Sequence, residues 1–147
     1  MKKKILWIED ESTTESAILS GPVYASGKYI LEIAANATEA MEMLINDEFD
    51  SVIVDIRIPP GSNYEWIKVY TEHRSNLVDA KLGLLLLESL FGDNPPIRIS
   101  NLPSWIVPEI FGVLSIEADE EMFPLIKPLG LLHQIEKGAH DRRTMLL

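Results

Sequence analysis

Ser51-Val52-Ile53-Val54-Asp55-Ile56-Arg57-Ile58-Pro59 is the stretch on which the fold turns. Three consecutive β-branched residues, Val52 to Val54, suit a strand. Because side chains alternate between faces, an unbroken apolar run suits a strand covered on both sides, as in a parallel sheet. Asp55 interrupts the run near its end, and Pro59-Pro60-Gly61 stops it. A strand over 51–56 follows. Working outward, Ile5-Leu6-Trp7-Ile8 has the same unbroken apolar character and ends in Glu9-Asp10-Glu11. Tyr29 to Ile33 reads as a further strand.

Helix-like segments lie between these runs. Ser12 or Thr13 suits the cap of a helix that Gly21-Pro22 ends or kinks. Asn36 and Thr38 are cap candidates for a helix through Ala40, Met41, Met43, Leu44 and Ile45. Tyr64, Trp66, Ile67 and Tyr70 have roughly helical spacing. Leu82 to Phe91 reads as a helix stopped by Gly92-Asp93-Asn94-Pro95-Pro96. Further on, Ile97 to Ser100 is expected to be the fourth strand. Trp105 to Glu121 is expected to be mostly helical with a break at Pro108. Met122 to Ile126 is expected to be a fifth strand, with Pro124 at a sheet edge, and Leu129 to Gly138 a last helix. Repeated strand–helix alternation implies a parallel sheet with helices on both faces.

The chain has 147 residues, 46% apolar and 24% charged, the balance of a folded protein of one domain. It has no cysteine, which excludes disulfides, thiolate metal sites and cysteine nucleophiles. Acidic residues outnumber basic ones, 23 to 13, for a net charge of −10. Such a surface repels phosphate backbones, so direct nucleic-acid binding is not expected. The apolar run after Met1-Lys2-Lys3-Lys4 is too short for an export signal. No run approaches membrane-spanning length. A cytoplasmic chain without membrane insertion is the expectation. His73, His133 and His140 show no metal-ligand spacing.

In a doubly wound sheet the functional site lies at the carboxyl ends of the strands. By the strand boundaries above, those positions hold Glu9 and Asp10, Asp55, Ser100 and Lys127. Three carboxylates converging at one edge repel one another unless a cation compensates. Oxygen-only ligands suit a hard ion such as Mg²⁺. With a lysine and a hydroxyl nearby, the set suits phosphoryl transfer to a carboxylate. Each residue also has a plainer reading. Glu9-Asp10-Glu11 suits the solvated start of a helix, Asp55 a cap or a pair with Arg57, Lys127 an ordinary surface lysine, and Ser100 a loop serine with Ser89 as its rival.

In the order Ile5 to Glu11, Val52 to Pro59 and Lys127-Pro128, the sequence resembles the receiver domain of bacterial two-component response regulators, the CheY-like, flavodoxin-like fold. The resemblance spans about residues 3–137. It implies a three-layer α/β domain over 1–147, with a five-stranded parallel sheet in the order 2-1-3-4-5 and helices on both faces. It further implies Mg²⁺ held by Glu9, Asp10, Asp55 and the main-chain carbonyl of Arg57. Asp55 would accept the phosphoryl group, Lys127 would contact it, and Ser100 would be the hydroxyl after the fourth strand. The Lys127-Pro128 bond would be cis. Such a domain is no enzyme beyond its own phosphorylation and dephosphorylation. It receives a phosphoryl group from a sensor histidine kinase or a histidine phosphotransfer protein and signals to a downstream protein by a change of surface, as monomer or homodimer.

The sequence departs from that pattern. Glu9 stands where the family more often has Asp, and Pro124 where a switch aromatic often lies. The interval from Asp55 to Ser100 is long, which places an insertion at about 62–81, read as a surface excursion without a strand. No output module is expected after the last helix. Two alternatives follow. One is a degenerate receiver that binds partners without phosphorylation. The other is an aspartate-nucleophile phosphatase, disfavoured because Arg57 stands where its second aspartate belongs.

Overall fold

Parallel pairing organises the chain. The structure is a computed structural model and describes residues 2–10, 27–73, 81–115, 124–131 and 133–136. Its elements are β1 (Lys3–Ile8), β2 (Tyr29–Ala34), α1 (Ala37–Asn46), β3 (Ser51–Asp55), α2 (Tyr64–His73), α3 (Leu82–Phe91), β4 (Phe111–Ser115) and β5 (His133–Glu136). The sheet runs β2-β1-β3-β4-β5 with every neighbouring pair parallel. The α/β class and the order 2-1-3-4 agree with the reading of the sequence.

The unbroken apolar runs bury both faces of the sheet. Leu6 and Ile8 of β1, Val52 and Val54 of β3, and Phe111 and Val113 of β4 join one core cluster. The intervening residues Trp7, Ile53 and Leu114 join Leu31 in a second cluster on the opposite face. The three helices lie against the first face through Ala40, Met41 and Leu44, through Trp66 and Val69, and through Leu82, Leu86 and Leu87. Among the described residues no helix covers the second face. The helix expected after Ser12 or Thr13 falls on residues outside those described.

The helix starts are locally encoded. Asn36 caps α1, its side chain accepting from the Glu39 amide at 2.9 Å, while the Glu39 carboxylate accepts from the Ala35 amide at 2.8 Å. This is a reciprocal cap close to the capping-box pattern. Asn36→Ala should destabilise the protein by about 1 kcal/mol, read as a lower urea midpoint with an unchanged slope. Asn63 does the same for α2, accepting from the amides of Glu65 and Trp66 at 2.9 and 3.2 Å. The expected excursion at 62–81 thus contains a helix, and it packs inward, with Trp66 only 3% exposed. No strand occurs among its described residues.

Beyond α3 the order of elements differs from expectation. Residues 97–100 form no strand, and Ser100 is an exposed turn residue. Ile97 and Ile99 reach the core from an irregular segment. The Ile97 amide donates to Ser89 Oγ at 3.2 Å, and that hydroxyl donates to the Leu85 carbonyl at 2.9 Å, so Ser89 serves the core. The fourth strand is Phe111–Ser115, inside the segment expected to be helical. It follows a short 3-10 turn, Pro108–Ile110. Residues 124–126 are helical, with Pro124 exposed, where a fifth strand was expected. The strand is His133–Glu136, inside the expected last helix. Every element after α3 lies one step later in the chain, because several short apolar runs there satisfy the same pattern and only pairing selects among them.

Candidate functional site

Register brings the acidic residues to one edge. Ile8 pairs with Val54 across β1 and β3, so Glu9 and Asp55 stand one step further along on adjacent strands. They have the parity of Trp7 and Ile53 and therefore face the second side of the sheet. Glu9 is fully buried and Asp55 only 4% exposed; Asp10, next in the chain, is partly exposed. The Glu9 amide donates to the Ala34 carbonyl at 2.9 Å, extending the β1–β2 pairing to the site. Asp55 Oδ1 accepts from the Arg57 amide at 3.1 Å. Two carboxylates with almost no water contact on neighbouring strands make a like-charge pair that a cation would relieve.

The chain around Asp55 is held from two sides. On one, the Gly83 amide in the first turn of α3 donates to the Ile56 carbonyl at 2.8 Å. A Cβ on Gly83 would lie 2.8 Å from Ile56 Cα and 2.9 Å from the Asp55 carbonyl carbon, and nearer still to the Asp55 carbonyl oxygen. Helix and strand end therefore touch through backbone alone. On the other, the loop after Ile56 is pinned to the start of α1. The amides of Ala37 and Thr38 donate to the carbonyls of Pro59 and Pro60 at 3.0 and 3.1 Å. Thr38 Oγ1 also donates to the Pro60 carbonyl at 2.7 Å and accepts from the Asn63 amide at 2.9 Å. Gly61 has φ +80, and Asn36 and Thr38 side chains fill the space its Cβ would need.

The other two residues expected here lie elsewhere. Ser100 is on no strand end, and the residue that closes β4 is Ser115. Asp55 pairs with Leu114, which sets Ser115 one step beyond, at the same edge as Asp55. Lys127 is exposed and opens a 3-10 turn that leads into β5. Gly130 of that turn lies against Pro108, just before β4 begins, so Lys127 sits by the strands' amino ends, opposite the acidic edge. No peptide bond among the described residues is cis, and Lys127-Pro128 is trans. Ser115 follows the apolar run Phe111 to Leu114, and that run was the signal that marks its position.

The donor set suits a hard cation at Glu9, Asp10, Asp55 and the Arg57 main chain. Among the described residues no three His, Asp or Glu side chains are arranged to enclose a metal ion. A closed cage is not what Mg²⁺ requires: it keeps several waters and takes one or two carboxylates with the remainder open to phosphate. Glu9 and Asp55, at adjacent strand ends, are the two buried carboxylates at this edge.

No protein-family model matches the chain, and no curated protein is similar to it. Solved structures do match in fold. A CheY-like response regulator receiver domain protein from Methanospirillum hungatei JF-1 is 21% identical, with a TM-score of 0.59, over 99% of this chain and 89% of that one. A Burkholderia pseudomallei response regulator, described with a phosphorylated aspartic acid, calcium ion and citrate, is 19% identical with a TM-score of 0.60. That match covers 99% of this chain and 65% of the other. The chemotaxis response regulator CheY4 of Vibrio cholerae is 16% identical, with a TM-score of 0.61, over 99% and 94% of the two chains. The fold is that of response regulator receiver domains.

Proposed function

We propose that the chain is the phosphoryl-accepting receiver of a two-component signalling system, with Asp55 as the acceptor. The observation that carries this is the place of Asp55: a buried carboxylate ending the central strand, one strand from buried Glu9, in a fold shared with receivers. Receiver domains are signalling domains rather than enzymes. The donor is the phosphohistidine of a sensor kinase or phosphotransfer protein. An Asp55 carboxylate oxygen attacks phosphorus as the P–N bond breaks, and the bond's electrons leave with the imidazole nitrogen, which takes up a proton. Glu9, Asp10, Asp55 and the Arg57 carbonyl would hold Mg²⁺, which supplies neutralising charge for the phosphoryl oxygens. The backbone contacts of Gly83 and the pinned loop keep Asp55 in line. Signalling then passes to a downstream protein through a change of surface. No helix among the described residues is long and apolar enough to cross a membrane, and a cytoplasmic setting fits a kinase partner.

In this reading Ser115, which closes β4 one step beyond Leu114, takes the chain position expected of Ser100. Lys137, next after β5 in the sequence and outside the described residues, is a second candidate beside Lys127 for the lysine that contacts the phosphoryl group. Titration with Mg²⁺ and beryllofluoride tests it. Amide signals of Glu9, Asp10, Asp55 to Arg57 and Ser115 should shift together, and Asp10→Asn should weaken the response. Lys137→Ala should slow labelling by a small phosphodonor by about 10- to 100-fold, the range for losing one charged contact to the transferring group. Lys127→Ala should leave the rate at the wild-type value; an equal loss in both would restore Lys127. A degenerate receiver is the second reading, favoured by Glu9 standing where the family more often has Asp. It predicts no beryllofluoride response.

A further inference from the structure

We propose that the groove between α1 and α2 docks a basic segment of a partner protein, which sets a bulky apolar side chain among Met41, Ile45 and Trp66 and a Lys or Arg against Glu42. The groove has a volume of about 240 Å³ and is lined by Thr38, Met41, Glu42, Ile45, Asn46, Asn63 and Trp66. The α1 residues recur at helical spacing, so a whole face of the helix forms one wall. The volume lies below the range of small-molecule sites. It suits one large side chain entering from outside, as when an amphipathic segment lies in a groove between helices. Ile45 extends the apolar surface beyond the groove, being 46% exposed. Met41 and Trp66 form a floor of the kind that anchors bind, one adaptable and one rigid.

Charge selects the occupant. α1 carries Glu39 and Glu42 and no Lys or Arg; α2 carries Glu65 and Glu72 against Lys68, which does not line the groove. Glu42 is exposed and makes no hydrogen bond or ion pair with a described residue. A second copy of this chain, at net charge −10, would meet its own repulsion here, as would a nucleic acid or an anionic membrane. A cationic polypeptide is drawn in instead. The groove also adjoins the loop that follows Asp55, since Thr38 and Asn63 both line it and bond each other. The docking site does not depend on Asp55 accepting a phosphoryl group.

The test uses the whole chain and a capped helical peptide with a leucine stripe flanked by arginines, with a control in which glutamates replace the arginines. Amide spectra should show saturable shifts confined to 38–46 and 63–67 with the basic peptide. The control should bind at least about tenfold more weakly, the loss of one charged hydrogen bond. Glu42→Lys and Ile45→Gln, both at exposed positions, should each weaken the basic peptide by a similar factor while leaving other signals in place. The proposal is overturned by the absence of saturable shifts, by shifts centred elsewhere, by equal binding of the control, or by indifference to Glu42→Lys. It is also overturned if the same signals move with protein concentration alone, which would assign the groove to a second copy.

Discussion

A small phosphodonor such as acetyl phosphate, with Mg²⁺, is expected to add one hydroxylamine-sensitive phosphoryl group at Asp55, and Asp55→Asn is expected to reduce labelling to background. Asp55 is the carboxylate at the end of the central strand, beside Glu9 and one strand from the carboxyl end of β4. An amide is a poor nucleophile and brings no negative charge to a metal ion, so both parts of the chemistry fail together. The substitution is close to isosteric. Its oxygen still accepts from the Arg57 amide, and it removes one of two buried carboxylates at this edge, so the variant should fold at least as well as wild type. Mass spectrometry before and after hydroxylamine reads the result. Labelling of Asp55→Asn at the wild-type level would move the acceptor elsewhere. An unlabelled wild-type protein would mark the chain as a degenerate receiver.

Gly83→Ala should be the most damaging single methyl in the described structure. Alanine is ordinarily the better helix residue by about 1 kcal/mol, and on that basis alone the variant would be stabilised. Here the added Cβ meets backbone, not a side chain that can rotate: the Asp55 carbonyl and Ile56 Cα, the latter at 2.8 Å. Either α3 lifts from the strand end, losing the Gly83-to-Ile56 hydrogen bond and uncovering Leu82 and Leu86, or β3 bends. Overpacking of this kind outweighs the propensity gain, and a net loss of about 3 kcal/mol is expected, seen as a lower thermal midpoint. Because the clash falls on Asp55 and Ile56, whatever folded protein remains should also label more slowly with the phosphodonor. A variant as stable as wild type would show that the contact yields easily.

Much of this was legible in the chain itself. The runs Ile5 to Ile8 and Val52 to Val54 are apolar at every position, and their β-branched residues and the acids or turn residues that bound them suit strands buried on both faces. Their acidic ends, Glu9, Asp10 and Asp55, came out at one edge because parallel strands with matching ends have no other arrangement. Asn36 before Ala37 marked a helix start through its own side-chain chemistry, and the leucines from Leu82 to Leu90 marked a buried helix by density alone.

The second half was decided by tertiary pairing. Between residues 97 and 136 the apolar runs are short, and periodicity does not separate a strand from a turn of helix over four or five residues. Ile97-Arg98-Ile99 alternates like a strand, yet Arg98 is exposed, and the place between β3 and β5 admits no charge on either face. Phe111-Gly112-Val113-Leu114 meets that demand, with Phe111 and Val113 in one core cluster and Leu114 in the other. His133 to Glu136, polar at three of four positions, suits the edge of the sheet, where among the described residues one side of the backbone has no neighbouring strand. Choosing these two strands moved the end of the fourth strand from Ser100 to Ser115 and set Lys127 before β5 rather than after it. The sequence by itself determined the strands whose composition admits a single environment. The partners across the sheet decided the rest, because a short run becomes a strand only where a neighbour completes its backbone hydrogen bonds.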